Sequence, residues 1–135
     1  MSEVRVFLVG QPIGKGRPRF TRTGHTYTPD KTRKYEMRLA AAGSDEMIKL
    51  GIDPTSRPCW VLIRAQFQIP KSWTKAKKLQ AERHEVYPGK PDIDNIAKIA
   101  LDALNGIVFE DDAQVHALRV LKSYGDPCLS VAVSW

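Results

Sequence analysis

The sequence predicts an α/β domain of α+β-like character: a mixed sheet of about four strands with helices packed on it, in the order β-α-β-α-α-β-β. Three observations carry that expectation. Residues 60 to 69 alternate apolar and polar with period two, the pattern of a half-buried strand. Residues 92 to 105 instead carry one apolar stripe at helical spacing. A length of 135 residues, with 42% hydrophobic and 27% charged content, is enough for one core and too short for two, so residues 1–135 are expected to form a single domain.

Taken in order, Glu3 to Val9 alternates loosely and reads as the first strand. Gly10 to Phe20 holds three glycines and two prolines and reads as a loop. Lys15, Arg17 and Arg19 stand at every second position, so an extended chain would present them on one side, suited to a DNA backbone. The Gly-Lys-Ser/Thr ending of a Walker loop is missing, and no nucleotide cofactor is expected. Thr21 to Thr28 suggests a turn or hairpin around Gly24, with Tyr27 a stacking or packing residue. Thr28-Pro29 is an N-cap followed by Pro at the first helical position, opening a helix to about Leu50. Gly43-Ser44 is a candidate break and Gly51 the stop.

Pro54 to Pro58 is a loop, and the strand from Trp60 to Ile69 ends at Pro70. Val61, Ile63, Ala65, Phe67 and Ile69 share one face; Arg64, Gln66 and Gln68 share the other. Ser72-Trp73-Thr74 starts a short basic helix to about Glu85, and Tyr87-Pro88-Gly89 turns the chain. The next helix is expected from Asp92 to Asn105, with Gly106 suited to a left-handed cap. Val115 to Lys122 and Cys128 to Val133 read as two strands joined in a hairpin across Tyr124-Gly125-Asp126-Pro127. Helices and strands do not alternate regularly enough for a doubly wound fold.

Composition narrows function. No apolar run reaches membrane-spanning length, and Ser2 to Gly10 is too short and alternating for a signal peptide. Cys59 and Cys128 fit no metal-binding spacing and are expected as free thiols in a reducing cytoplasm. His25, His84 and His116 are scattered, which argues against a zinc site.

Charge is segregated. The chain carries +6 overall, yet Pro91 to Asp112 holds six acids and one base. Residues 11–38 hold eight Lys or Arg against two acids, and residues 71–90 six against two. Two basic segments flanking an acidic one suit an enzyme that grips a polyanion and cuts it at a metal. For Lys75, Lys77 and Lys78 a solvated basic surface is the plainer reading.

Within the acidic stretch, Asp92 and Asp94 bracket one residue at the helix mouth, and Lys98 lies one turn beyond Asp94 on the same side. Twelve helical residues rise roughly 18 Å. Seven extended residues from Gly106 to Asp112 span roughly 23 Å, so Asp111 or Asp112 is expected to return beside Asp92 and Asp94 if Ile107, Val108 and Phe109 run back as a strand. Clustered carboxylates require a proton or a cation between them, and hard oxygen donors suit Mg²⁺ or Mn²⁺. Lys98 would stabilise charge on a phosphodiester. The structural alternative makes Asp92 a helix cap, Asp94–Lys98 a surface pair and Asp111-Asp112 a solvated turn.

The residues Lys-Pro-Asp-Ile-Asp-Asn-Ile-Ala-Lys at 90–98, followed by Asp-Ala-Leu-Asn-Gly-Ile-Val-Phe-Glu-Asp-Asp-Ala-Gln-Val at 102–115, resemble the signature of the RusA family of Holliday junction resolvases. Gly-Lys-Gly-Arg-Pro-Arg-Phe, Tyr-Thr-Pro at 27–29 and Pro-Lys-Ser-Trp at 70–73 resemble members found in bacteria and prophages. The resemblance implies Mg²⁺-dependent homodimers that nick four-way DNA junctions symmetrically. It implies metal-binding aspartates at Asp92, Asp94 and Asp112, choosing Asp112 over Asp111, and an essential lysine at Lys98. Lys15, Arg17, Arg19, Lys90 and Asn95 form the expected DNA-binding set. Some relatives carry a run of arginines before the first aspartate, where this chain has only Lys90. A non-catalytic DNA-binding protein and a nuclease for other branched DNA are the alternatives. A PD-(D/E)xK nuclease is disfavoured because Pro91-Asp92 lacks a following acid-x-Lys element.

Overall fold

The computed structural model describes every residue except Met1, Arg17, Pro18 and Thr28, and leaves out the side chains of Arg19, Phe20, Thr26 and Tyr27. Its centre is a mixed four-stranded sheet built from β1 (Glu3–Val9), β4 (Cys59–Phe67), β5 (Val115–Tyr124) and β6 (Cys128–Ser134) in the order β1-β6-β4-β5. β6 runs antiparallel to both neighbours, while β4 and β5 are parallel. A two-stranded ladder, β2 (Arg19–Phe20) with β3 (Thr26–Tyr27), forms the small hairpin expected around Gly24.

Period-two alternation decides which face of the sheet is covered. Cys59, Val61, Ile63, Ala65 and Phe67 of β4 are all buried, as are Val4 and Val6 of β1 and Leu129, Val131 and Val133 of β6. Two helices lie on that face: α1 (Asp30–Leu50) contributes Tyr35, Leu39 and Met47, and α3 (Ile93–Leu104) contributes Ile96, Ile99, Ala100, Ala103 and Leu104. Each large side chain so buried stabilises the fold by about 1.5–3 kcal/mol relative to exposure.

The sequence reading of α1 holds in extent and differs at two points. Pro29 occupies the cap position, and the expected cap, Thr28, lies outside the described residues. Gly43-Ser44 does not break the helix. Gly43 is buried where α1 crosses α3, and a Cβ there would lie 2.6 Å from Leu104 Cδ2. Its small size serves packing, and Gly51, left-handed at φ 66, ends the helix. The basic helix α2 spans Lys75–Glu82, and the Thr74 hydroxyl accepts from the Lys77 N–H as its cap. Lys77 Nζ sits 4.0 Å over the Trp73 ring, and Trp73 meets Tyr124 edge-on at 5.3 Å.

Two expectations are corrected. The last two strands form no hairpin, because β4 lies between them. The Gly125–Pro127 connection crosses the end of β4, where the Gly125 N–H donates to the Phe67 carbonyl at 3.0 Å. Second, Ile107, Val108 and Phe109 do not run back as a strand. They form a tight turn in which the Ile107 and Val108 N–H groups both donate to the Leu104 carbonyl. Val108 and Phe109 are completely buried, so their apolar character closes the core beneath α3.

Candidate active site

The acidic stretch is divided between α3 and the turn that follows it. Asp92 stands at the cap position with extended backbone, but its side chain makes no capping hydrogen bond. Its carboxylate instead faces Lys90, whose Nζ approaches it at 3.2 Å. Asp94 lies in the first turn, exposed. Asp94, Lys98 and Asp102 follow at four-residue intervals and share one side of the helix. Lys98 turns away from Asp94: its ammonium is 3.4 Å from Asp102 Oδ2.

Asp111 and Asp112 separate in role. Asp111 caps a single 3-10 turn, Asp112–Gln114, accepting from the Ala113 N–H at 3.1 Å while its own N–H donates to Gln114 Oε1 at 2.8 Å. Gln114 Nε2 donates to the carbonyls of Thr55 and Arg57, both at 2.8 Å, and so pins this turn to the chain entering β4. Asp112 lies within reach of the charges of Lys98 and Asp102 on α3. A hydrogen bond with the Asp111 carboxyl is the main reason its pKa is raised; desolvation and the charges of Asp111 and Asp102 add, and Lys98 opposes.

The donors are carboxylate oxygens open to solvent, which suits a hard divalent ion that keeps several waters. They are not gathered: among the described residues no three His, Cys, Asp or Glu side chains stand close enough together to hold a metal ion. The structure thus does not bring Asp92, Asp94 and Asp112 together in the way the sequence reading expected; the charges that act on Asp112 are those of Asp111, Asp102 and Lys98.

The loop from Gly10 to Gly16 is docked onto the start of α3. The Lys15 N–H donates to the Asn95 carbonyl at 2.9 Å, and a Cβ on Gly14 would lie 2.6 Å from Pro91 Cβ. Lys15 itself points inward, its Nζ 2.5 Å from Glu36 Oε1 and 3.2 Å from Asp102 Oδ2. Burial alone would lower its pKa, but the two carboxylates outweigh that and raise it. A hollow of about 390 Å³ lies here, lined by residues including Lys15, Lys31, Lys90 and Asn95. A second hollow of about 390 Å³, at the far end of α3 around Met47, Ile52 and Ile107, lies away from this charge. Arg17 and the Arg19 side chain lie outside the described residues.

Sequence reasoning missed four residues around the site: Glu36, Asp102, Gln114 and Lys122. Lys122 Nζ donates to the carbonyls of Gly89 at 2.6 Å and Pro91 at 3.2 Å, holding the segment that leads into Asp92. A signal for Lys122 was present. It pairs with Ala65 in register, so it is a lysine at a core-facing position of a strand.

Compared with known families, residues 10–134 match the model for Endodeoxyribonuclease RusA. The chain belongs to the RusA endodeoxyribonuclease family. The match spans both the docked glycine loop and the acidic side of α3, and membership supports a nuclease. An uncharacterized protein of Bacillus subtilis (strain 168), YqaN, is 33% identical to this chain over 132 residues, covering 93% of this chain and 91% of its own length. Among the described residues, no helix is long and apolar enough to cross a membrane.

Proposed function

We propose that this protein is a metal-dependent endodeoxyribonuclease that resolves four-way DNA junctions by paired, symmetric nicks, acting as a homodimer. Membership of the RusA family supports the reading at the level of a nuclease. The observation that points it to a site is Asp92, an exposed carboxylate at the mouth of α3 whose oxygens make no capping hydrogen bond and so remain open to a cation. Asp92, Asp94 and Asp112 would hold Mg²⁺, with Mn²⁺ as a substitute. A divalent ion there supplies Lewis acidity and neutralises phosphate charge.

The chain's own groups do the rest. Asp92 and Asp94 present oxygens at the positive end of α3. Lys98, one turn along, donates to the phosphoryl oxygens as negative charge builds. Lys90 and Asn95, beside the same helix mouth, hold the flanking backbone, with Arg17 and Arg19 further along the loop. Two copies related by a two-fold axis match a junction with two equivalent strands to cut.

The test is Asp92→Asn, assayed for both cutting and binding of a synthetic four-way junction. Cutting should disappear while binding stays or tightens, since a negative charge facing phosphate is removed. Loss of binding together with folding would remove Asp92 from the chemistry.

A further inference from the structure

Lys15 lies in a loop whose charge and glycines suggest a grip on DNA, yet its ammonium faces the protein. Only 19% of its side chain is exposed, and it sits between Glu36 and Asp102, themselves 28% and 26% exposed. The Asp102 oxygen that meets Lys15 at 3.2 Å also meets Lys98 at 3.4 Å. The four side chains thus form one alternating row across three elements: Glu36 of α1, Lys15 of the loop, then Asp102 and Lys98 of α3. Lys98 is the exposed end of that row, its side chain 62% exposed.

We infer that Lys15 and Asp102 are positioning residues that hold the Lys98 ammonium in place, and that Lys15 does not contact DNA. The inference rests on the reading of Lys98 as the group that meets the phosphate. The reason is mechanical and electrostatic. A lysine ammonium on a four-carbon stem samples many rotamers, and a fixed anion one turn away restricts them. Asp102 is itself fixed because Lys15 neutralises it against Glu36. Without Lys15, two half-buried carboxylates face each other, and Lys98 is drawn toward them and away from the substrate. The loop is built to deliver Lys15: its backbone N–H bonds to Asn95, and Gly14 packs on Pro91 where a Cβ has no room.

The two possible roles of Lys15 separate cleanly by experiment. Single-turnover nicking of a four-way junction would be measured for wild type, Lys15→Ala, Lys15→Arg and Asp102→Asn. Binding would be measured without cutting, in EDTA, across a salt series. The inference predicts nicking slower by about tenfold to a hundredfold in Lys15→Ala and Asp102→Asn. Affinity and salt dependence should match wild type, and Lys15→Arg should recover most of the rate. Weaker binding with a log–log salt slope shallower by about 0.9, at an unchanged nicking rate, would overturn it by making Lys15 a phosphate contact.

Side-chain ammonium NMR reads Lys98 independently of cutting. Its resonance should shift and broaden in Asp102→Asn and in Lys15→Ala while the amide spectrum keeps its folded dispersion. An unchanged Lys98 resonance would overturn the inference even if the wild-type protein cut no junction, an outcome that would count against the proposed function alone.

Discussion

Asp112 shows how much a single residue can reveal about the site. Its pKa is raised on folding, chiefly by the neighbouring Asp111 carboxyl, so ionising it costs stability. That penalty is absent below 3.8, the unperturbed value, grows as pH climbs through the folded pKa, and is complete above it. Metal-free Asp112→Asn should therefore melt above wild type at pH 7, with the two curves converging as pH falls toward about 4. Thermal melts in EDTA test this; a constant offset across the range would mean that Asp111 does not load Asp112. At this scale the placement of Asp92 at the mouth of α3, and of Asp94 and Lys98 on one side of it, was legible in the sequence, because helical spacing alone sets it. The partners of Lys15 and Lys98 were not. Glu36 and Asp102 come near Lys15 only once α1, α3 and the glycine loop pack together, and no local spacing encodes that. The separation of Asp111 from Asp112 is likewise tertiary, since Gln114 fixes the turn by reaching the carbonyls of Thr55 and Arg57.

Among the elements, α3 was the most readable, because its stripe of Ile96, Ala97, Ala100, Ala103 and Leu104 is long and continuous. What its stripe packs against was less readable. Gly43 looked like a helix break, yet it is the point of closest approach between α1 and α3. Gly43→Ala should gain about 1 kcal/mol of helix propensity and lose about 1–3 kcal/mol by overpacking against Leu104, for a net destabilisation of about 1 kcal/mol. Urea unfolding measures it; a clear gain in stability would mean that Leu104 yields freely. The hairpin expectation failed for a physical reason. Gly125-Asp126-Pro127 is a sound turn sequence, but three residues can either reverse into an adjacent strand or step over the end of one. The choice was made by β4, whose apolar face and exposed edges accept β5 on one side and β6 on the other. Strand-favouring Ile107, Val108 and Phe109 misled in the same way, because burial in a turn satisfies them as well as a sheet does.

For the molecule as a whole, the governing feature is segregated charge: a chain of net +6 in which residues 91–112 hold six acids and one base. If six phosphates are contacted, raising salt from about 50 to about 200 mM should weaken junction binding by about 10³-fold. A flat response, measured by titration in EDTA, would remove the basic segments from the interface. The mixed sheet and the helices on it were legible at this scale from alternation and periodicity alone. The strand order was not, because pairing depends on which edges the helices leave open.

The most direct measurement is cleavage of a synthetic four-way junction beside a linear duplex of matched sequence, with Mg²⁺ and with EDTA. Paired, symmetric nicks on the junction alone, only in Mg²⁺, are the predicted result. Equal cutting of both substrates would keep a nuclease but contradict junction resolution, and binding without any cut would contradict the enzyme altogether.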